Sequence, residues 1–417
     1  MCVRRPDSVR QQEHKSTRLP RSFRLLWAAA AASNIGDGLR ITALPLLATT
    51  VTTDPRAIAG VTIAERIPWL IFILPGGAWA DRYDRRVLRV FLDLVRGVLM
   101  ASLVYTIAVH RLTIVAIYIV TALLASAEAI VDSSSIALVP ATVEPYDLVR
   151  AGSRLASTQV LTNELIGPPL GGLLFGLAMI VPFGVDAASF FAAALIMMML
   201  PGNFQPGATK AARAPLRLEI GEGFRWLWRH RLLRNLALIS MVLATAAFVG
   251  NSVFVLFATQ TLKLSGLGFG LLLVPGAVGG IIGSMLASRL RRYPLRVVLF
   301  GAIFTSGVVT ALTAAVSSPL LASLLWGTAS LTSMIWIVLT VALRQRVIPK
   351  HLIGRVGASY RFLMFAGMPI GALLGGYLAE SFSVRTALAV DGLAYLAFSP
   401  LVLILLRDVT SSGEAGV

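Results

Sequence analysis

Long apolar stretches separated by short charged stretches dominate this chain. Each apolar stretch has about twenty residues or more, which is the length an α-helix needs to cross a bilayer core of about 30 Å. Six such stretches precede a polar segment near the middle of the chain, and six follow it. The pattern predicts an all-α integral membrane protein with twelve transmembrane helices. The predicted spans are 23–50, 58–80, 87–109, 113–139, 152–178, 181–200, 236–261, 267–290, 295–316, 319–343, 355–381 and 385–406.

The polar central segment also sets the predicted domains. Its second part, 216–234, alternates leucine and phenylalanine with arginine, as an amphipathic helix at a membrane surface would. We expect it to be a cytoplasmic linker between two helical bundles. The predicted divisions are an N-terminal tail (1–22), an N-terminal bundle (23–200), the linker (201–235), a C-terminal bundle (236–406) and a C-terminal tail (407–417).

The two bundles share an internal repeat. Gly171 and Gly172 recur 204 residues later as Gly375 and Gly376. Several other short patterns recur at nearly the same offset, so chance is a poor explanation. We therefore predict two parallel six-helix repeats with a cavity between them near the membrane midplane. The other recurring pairs are Pro145 with Pro349, Leu148 with Leu352, and Asp186 with Asp391.

The composition agrees with a membrane protein, and the distribution of charge gives its orientation. Apolar residues make up 56% of the chain and charged residues only 14%, which excludes a water-soluble globule. The net charge of +17 would suggest nucleic acid in a soluble domain, but the arginines and lysines crowd into alternate loops. By the positive-inside rule both termini and the linker are cytoplasmic. We expect a bilayer environment, the plasma membrane of a prokaryote, and no nucleic-acid partner.

A charged turn between the second and third spans carries the first family resemblance. Gly77, Asp81, Arg82, Arg85 and Arg86 form a Gly-x-x-x-Asp-Arg-x-x-Arg-Arg pattern. This pattern resembles the cytoplasmic loop signature of the major facilitator superfamily. The resemblance implies a secondary transporter that works by alternating access, with this loop taking part in the conformational change. A plain positively charged anchor at a membrane exit is the alternative.

A second resemblance lies in the fifth span. Gly167, Pro168, Gly171 and Gly172 resemble the Gly-Pro-x-x-Gly-Gly signature of superfamily antiporters, although Asn163 stands where a glycine is usual. Proline removes a backbone donor and small residues let helices approach closely, so the segment can bend and pack tightly. The alternative is a packing face without bearing on transport direction.

Three further patterns resemble the enterobactin-exporter and macrolide-efflux branch of the superfamily. They are Asn34 to Gly38, Arg66 to Pro68 and Ile130 to Pro140. The resemblance covers most of the chain and implies efflux. One departure matters, since the fourth span lacks the arginine that many drug/proton antiporters carry there.

Charged residues inside the predicted spans are the candidates for proton coupling and for the substrate cavity. Such residues are costly in a bilayer and are retained mostly for function. Asp37 lies near the middle of the first span with Arg40 on the same face, and a static pair that fixes helix packing is the alternative role. We expect Asp186 and Asp391, at helix starts, to be capping residues. The candidates are Asp37, Arg40, Glu65, Arg66, Glu128, Asp132 and Glu164.

The sequence disfavours an enzyme. No Gly-x-x-x-x-Gly-Lys-Ser/Thr loop is present to hold ATP phosphates, and the four histidines are scattered without metal-ligand spacing. We expect no catalytic residue, metal or cofactor, and a proton gradient as the source of energy.

These patterns together predict a proton-coupled exporter of an amphipathic small organic molecule, acting as a monomer. The molecule could be a drug, an antibiotic, a siderophore or another metabolite. An uptake permease, an exchanger or a lysolipid flippase would share the fold. A non-transporting membrane sensor is the alternative from another class.

The predicted topology can be tested by cysteine labelling in intact cells. With Cys2 replaced by serine, Arg56→Cys and Arg111→Cys should react with a membrane-impermeant maleimide, because both residues lie in predicted outer loops. Arg85→Cys and Lys210→Cys should react only after the cells are opened. Labelling of all four in intact cells would break the span assignment.

Overall fold

The structure, a computed structural model, describes residues 19–72, 84–202, 204 and 216–406. Regular structure in these ranges is entirely helical, and nine of the helical stretches are long and apolar enough to cross a membrane. The all-α class predicted from the sequence is confirmed. The long helices are α1 (Arg21–Val51), α2 (Pro55–Phe72), α3 (Arg85–Ala108), α4 (Ile114–Thr142), α5 (Leu148–Gln159 and Gly167–Leu177, joined by a π-helical segment, Val160–Ile166), α6 (Val181–Met198), α7 (Leu216–Arg229), α8 (Arg231–Asn251), α9 (Gly266–Leu290), α10 (Leu295–Ala315), α11 (Pro319–Val347), α12 (Ile353–Ser381) and α13 (Val384–Leu405). A short helix, Phe254–Leu256, and a second π-helical segment, Phe257–Thr261, follow α8, and the 3-10 turns Pro145–Asp147 and Lys350–Leu352 precede α5 and α12.

Hydroxyl and carboxylate side chains set the starts of several helices. Thr113 accepts a hydrogen bond from the backbone N–H of Ala116 at the start of α4, and Ser265 and Ser383 do the same for α9 and α13. Asp84 begins α3 by accepting from the backbone N–H groups of residues 86 and 87. These caps satisfy donors that have no partner inside the helix, which is how short polar turns between apolar stretches end one helix and start the next.

Two sets of six helices repeat one packing pattern. In the first set, α1 packs on α5 and α6, α3 packs on α4 and α6, and α2 packs on α4. In the second set, α8 packs on α12 and α13, α10 packs on α11 and α13, and α9 packs on α11. Each pairing in the second set is the first-set pairing with seven added to both helix numbers. The repeated glycine pair therefore occupies equivalent positions, in α5 and in α12.

Helix α7, between the two sets, docks against the second. Leu227 is fully buried in a core shared with α8 and α12, and Glu222 pairs with Arg355 at the start of α12 at 2.5 Å. Phe224 and Trp228 stack on each other on the outer side, with ring centroids 5.5 Å apart. The linker helix is thus amphipathic, and its apolar side faces protein.

The two sets meet most closely at the end of the molecule where α1 ends and α2 begins, which we name the Val51 end. Backbone touches backbone there, since a methyl group added at Gly172 of α5 would strike the carbonyl of Gly266 at the start of α9. Gly376 of α12 likewise packs on the first turn of α2. An ion pair between Arg56 and Glu380, 3.5 Å apart, lies beside this contact. The Val51 end is therefore the closed end of the molecule.

The glycine contact predicts a position-specific effect on stability. Gly172→Ala should lower the thermal unfolding temperature of the detergent-extracted protein, because overpacking a tight contact costs about 1–3 kcal/mol. Gly176→Ala, one turn along α5, is the matched control because a methyl group there meets nothing within 4 Å. It should be neutral or slightly stabilising, since alanine is the better helix former. Equal unfolding temperatures for the two variants would contradict the close contact.

Candidate functional site

A cavity of about 780 Å³ lies between the two sets of helices, near their middle. It is lined by α1, α2, α4 and α5 from the first set and by the α8, α9 and α11 regions from the second. The structure places Asp132 outside this lining, on an exposed part of α4. The remaining charged candidates from the sequence all line the cavity. They are Asp37, Arg40, Glu65, Arg66, Glu128 and Glu164.

The two walls of the cavity differ in chemistry. The wall from the first set carries all of the charged lining residues, four carboxylates and two guanidinium groups, with Gln159 and Asn163 beside them. The wall from the second set is aromatic and hydroxyl-bearing, and its centre is Trp326 stacked on Phe254 with centroids 4.6 Å apart. An amphipathic molecule can therefore satisfy its polar and apolar parts on opposite sides at once.

Asp37 anchors the charged wall. Its Oδ1 accepts hydrogen bonds from the guanidinium groups of Arg40 and Arg96, both at 2.7 Å, and Ser33 donates to Oδ2 at 3.4 Å. Arg96 is 1% exposed and its guanidinium also lies over the ring of Phe190, 3.9 Å from the centroid. Charge-assisted bonds of this length are the strong class of hydrogen bond, so Asp37 is held firmly as a carboxylate.

Arg40 joins Asp37 to two further carboxylates. Its Nη2 is 3.3 Å from Glu128 on the cavity wall, and its Nε is 3.7 Å from Asp186 behind the wall. Asp186 lies inside α6 and is wholly buried, and the N-cap position of that helix is occupied by Ile180 instead. Asp391 likewise lies inside α13, which Ser383 caps. Capping, the role expected from the sequence, is therefore wrong for both carboxylates.

The sequence analysis missed the charges of α3. Arg89, Asp93 and Arg96 lie on one face of that helix and are nearly inaccessible, and Arg89 bonds Asp93 at 2.8 Å. A signal was present, because the spacing i, i+4, i+7 places three charged residues on the same side of an apolar helix. Arg96 from the third span thus brings a second guanidinium to Asp37.

Glu65 and Arg66 form a separate pair on α2. Their side chains are 3.1 Å apart and partly exposed to the cavity. The guanidinium of Arg66 also lies 5.3 Å from the ring centroid of Phe248 on α8. This pair therefore reaches across the cavity toward the second set, whereas the Asp37 group stays within the first.

The glycine motif of α5 packs against both sets. Gly167 and Gly171 lie against the backbone of α1 at Gly38 and Leu39, and the carbonyl of Pro168 lies against Gly270 of α9. The motif follows directly on the π-helical segment Val160–Ile166, whose Glu164 lines the cavity. The motif thus forms a tight three-helix contact beside the cavity.

The charged turn between α2 and α3 is described only in part. Gly77, Asp81 and Arg82 lie outside the described residues, while Arg85 and Arg86 begin α3. The guanidinium of Arg86 donates to the carbonyl of Met198 at the end of α6, at 2.5 Å. This part of the signature ties the start of α3 to α6.

We expect Asp37→Asn to lower the yield of folded protein. The substitution leaves Arg96 and Arg40 without their shared anion, and breaking a buried ion pair typically costs about 3–5 kcal/mol. Asp132→Asn is the control, because Asp132 is exposed and lies outside the cavity. The measurement is the monodisperse fraction after detergent extraction. A normal yield for Asp37→Asn would show that the carboxylate is not structural.

The chain is similar to known transport proteins. A family model described as "Transmembrane secretion effector" matches residues 19–414. The multidrug efflux pump Tap of Mycolicibacterium fortuitum is 26% identical to the chain, covering 86% of this chain and 89% of that protein. The enterobactin exporter EntS of Escherichia coli is 23% identical, covering 93% and 92%.

The fold has a counterpart among solved structures. The nucleoside transporter NupG aligns with a TM-score of 0.74 at 13% identity, covering 94% of this chain and 99% of that one, which shows a shared fold. The family match spans most of the chain, and the two relatives are an efflux pump and an exporter. The chain therefore belongs to the transmembrane secretion effector family, in the efflux branch of the major facilitator superfamily, and is a multi-pass membrane transporter.

Proposed function

We propose that this protein is a proton-coupled exporter of amphipathic small organic molecules that works by alternating access. The observation that carries the proposal is the central cavity, whose charged wall and aromatic wall belong to different helix sets. Relative movement of the two sets would expose that cavity to each side of the membrane in turn, which is the general scheme for transporters of this architecture.

The proposed membrane arrangement has twelve spans in two six-helix repeats. The repeated packing of α1–α6 and α8–α13 supports it, and α7 then serves as the linker. With both termini in the cytoplasm, the closed Val51 end would face outward, which is consistent with an inward-facing state. The proposal also places the protein in a prokaryotic plasma membrane as a functional monomer. It has no nucleic-acid partner and takes its energy from the proton gradient.

The lining favours a positively charged substrate with an aromatic part. Four carboxylates and two guanidinium groups line the charged wall, so a cation restores charge balance there. Trp326 and Phe254 offer flat surfaces opposite, and aromatic faces attract both rings and cations. Ethidium, a planar aromatic cation, is a suitable probe.

Transport into inside-out vesicles tests direction and coupling together. When the vesicle interior is made acidic, ethidium should accumulate inside, and a protonophore should abolish the accumulation. Vesicles from cells without the protein are the control. Loss of ethidium from preloaded vesicles under the same gradient would indicate uptake in cells. Accumulation that persists in the presence of the protonophore would exclude proton coupling.

A separate prediction concerns the aromatic wall of the cavity. Trp326→Ala should raise the half-saturating concentration of ethidium about threefold to tenfold, because a ring contact contributes about 0.5–1.5 kcal/mol beyond its buried area. Trp228→Ala is the matched control, since Trp228 is exposed on α7, away from the cavity. Equal half-saturating concentrations for both variants would remove Trp326 from the binding site.

A further inference from the structure

Asp186 is a buried carboxylate with unusually little to stabilise its charge. It is 0% exposed, and neither of its oxygens accepts a hydrogen bond within the described residues. Arg40 pairs with it through Nε at 3.7 Å without a hydrogen bond. Gly36 of α1 provides the space, because a methyl group there would strike Asp186 Oδ1. The carboxylate therefore packs against the backbone of α1.

The other three carboxylates of the same network are better satisfied. Asp37 accepts from two guanidinium groups at 2.7 Å, Asp93 accepts from Arg89 at 2.8 Å, and Glu128 accepts from Arg40 at 3.3 Å. A buried ion without hydrogen bonds is far costlier than one with them. If one carboxyl of the network is neutral, Asp186 is the one.

The charge balance of the network favours such a neutral carboxyl when no cation occupies the cavity. The connected charged groups include four acids and three bases, so the fully ionised network carries one excess negative charge in a region of low dielectric constant. Arg40 pairs with Asp186, and the other charged groups that act on it electrostatically are Asp37 from α1, Arg96 from α3 and Glu128 from α4. One proton neutralises the set. The acids are Asp37, Asp93, Glu128 and Asp186, and the bases are Arg40, Arg89 and Arg96.

We propose that Asp186 holds the exchangeable proton of this transporter and that Arg40 relays its charge state to the cavity. This inference rests on the proposed proton-coupled export. With Asp186 neutral, Arg40 pairs with Asp37 and Glu128, which is the arrangement in the structure. Asp186 is fully buried and does not line the cavity in this state, so proton release requires water to enter between α1 and α6. The proton then passes to that water, the carboxylate attracts Arg40, and Glu128 is freed to bind a cationic substrate.

Asp391 provides a matched control for Asp186. It holds the equivalent position in α13, is 6% exposed, and lies against Gly250 of α8 as Asp186 lies against Gly36 of α1. Within the part of the chain that the structure describes, no arginine or lysine pairs with Asp391. It is therefore a buried carboxyl that no basic side chain of the described residues links to the cavity wall.

The transport experiment uses purified full-length protein in liposomes with ethidium as the probe. Asp186→Asn should hold Arg40 on Glu128 at every pH, so its ethidium counterflow should be slower than that of wild type and independent of pH, and its accumulation under a pH gradient should fall to the equilibrium level. Asp391→Asn should retain both activities. Counterflow in Asp186→Asn that keeps the pH dependence of wild type would overturn the inference, as would undiminished accumulation.

Infrared spectroscopy tests the proton directly, without substrate. In Asp391→Asn protein, raising the pH through a range well above about 4, where exposed carboxyls ionise, should remove one protonated carboxyl stretch. The Asp186→Asn/Asp391→Asn double variant should lack that signal. If the double variant does not fold, the single variant decides, because the absence of a titrating carboxyl in it overturns the inference.

The two experiments separate the inference from the function on which it rests. A wild-type protein that does not accumulate ethidium under a pH gradient contradicts the proposed export of such cations. The infrared signal then still decides whether Asp186 exchanges a proton. If the wild-type protein accumulates ethidium but the single and double variants give the same infrared signal, only the role of Asp186 is refuted. The proposed export then stands.

Discussion

The double hydrogen bond of Asp37 to Arg40 and Arg96 is the constraint on which the charged half of the cavity depends. It ties α1 to α3 at the depth of the cavity and fixes the position of Arg40 between Glu128 and Asp186. Arg96 is itself held over Phe190 of α6, so three helices are positioned by one carboxylate. The charges tolerate burial because each guanidinium meets at least one anion.

The second helix set repeats the packing of the first without repeating its charges. Its wall of the cavity is built from rings, hydroxyl groups and small residues, and its buried carboxyl, Asp391, stands apart from any such network in the described residues. A duplicated scaffold has thus acquired two unlike faces. The packing of the two sets is alike, while their side chains place the charged groups on one wall of the cavity and the aromatic rings on the other.

The sequence predicted the helical membrane fold and its family because both depend on features of long range along the chain, namely span length, charged loops and a repeat near 204 residues. It also indicated the charged residues of α1, because Asp37 and Arg40 interrupt an otherwise apolar stretch. The partners of those residues could not be derived. Arg96 and Asp186 approach Asp37 and Arg40 only because α3 and α6 pack beside α1, and pairwise proximity of helices leaves no trace in a single sequence. Asp186 was misjudged for the same reason.

The π-helical segment Val160–Ile166 gives α5 a freedom that its counterpart α12 lacks, since α12 is a continuous α-helix from Ile353 to Ser381. A π-turn holds one more residue than an α-turn. Moving that extra residue along the helix turns the intervening side chains by about 100° while the ends stay in place, because each residue of an α-helix advances by that angle. Glu164 and Asn163 lie within the segment and face the cavity. A local rotation of α5 can therefore change which of its side chains face the cavity, without a tilt of the helix against its neighbours.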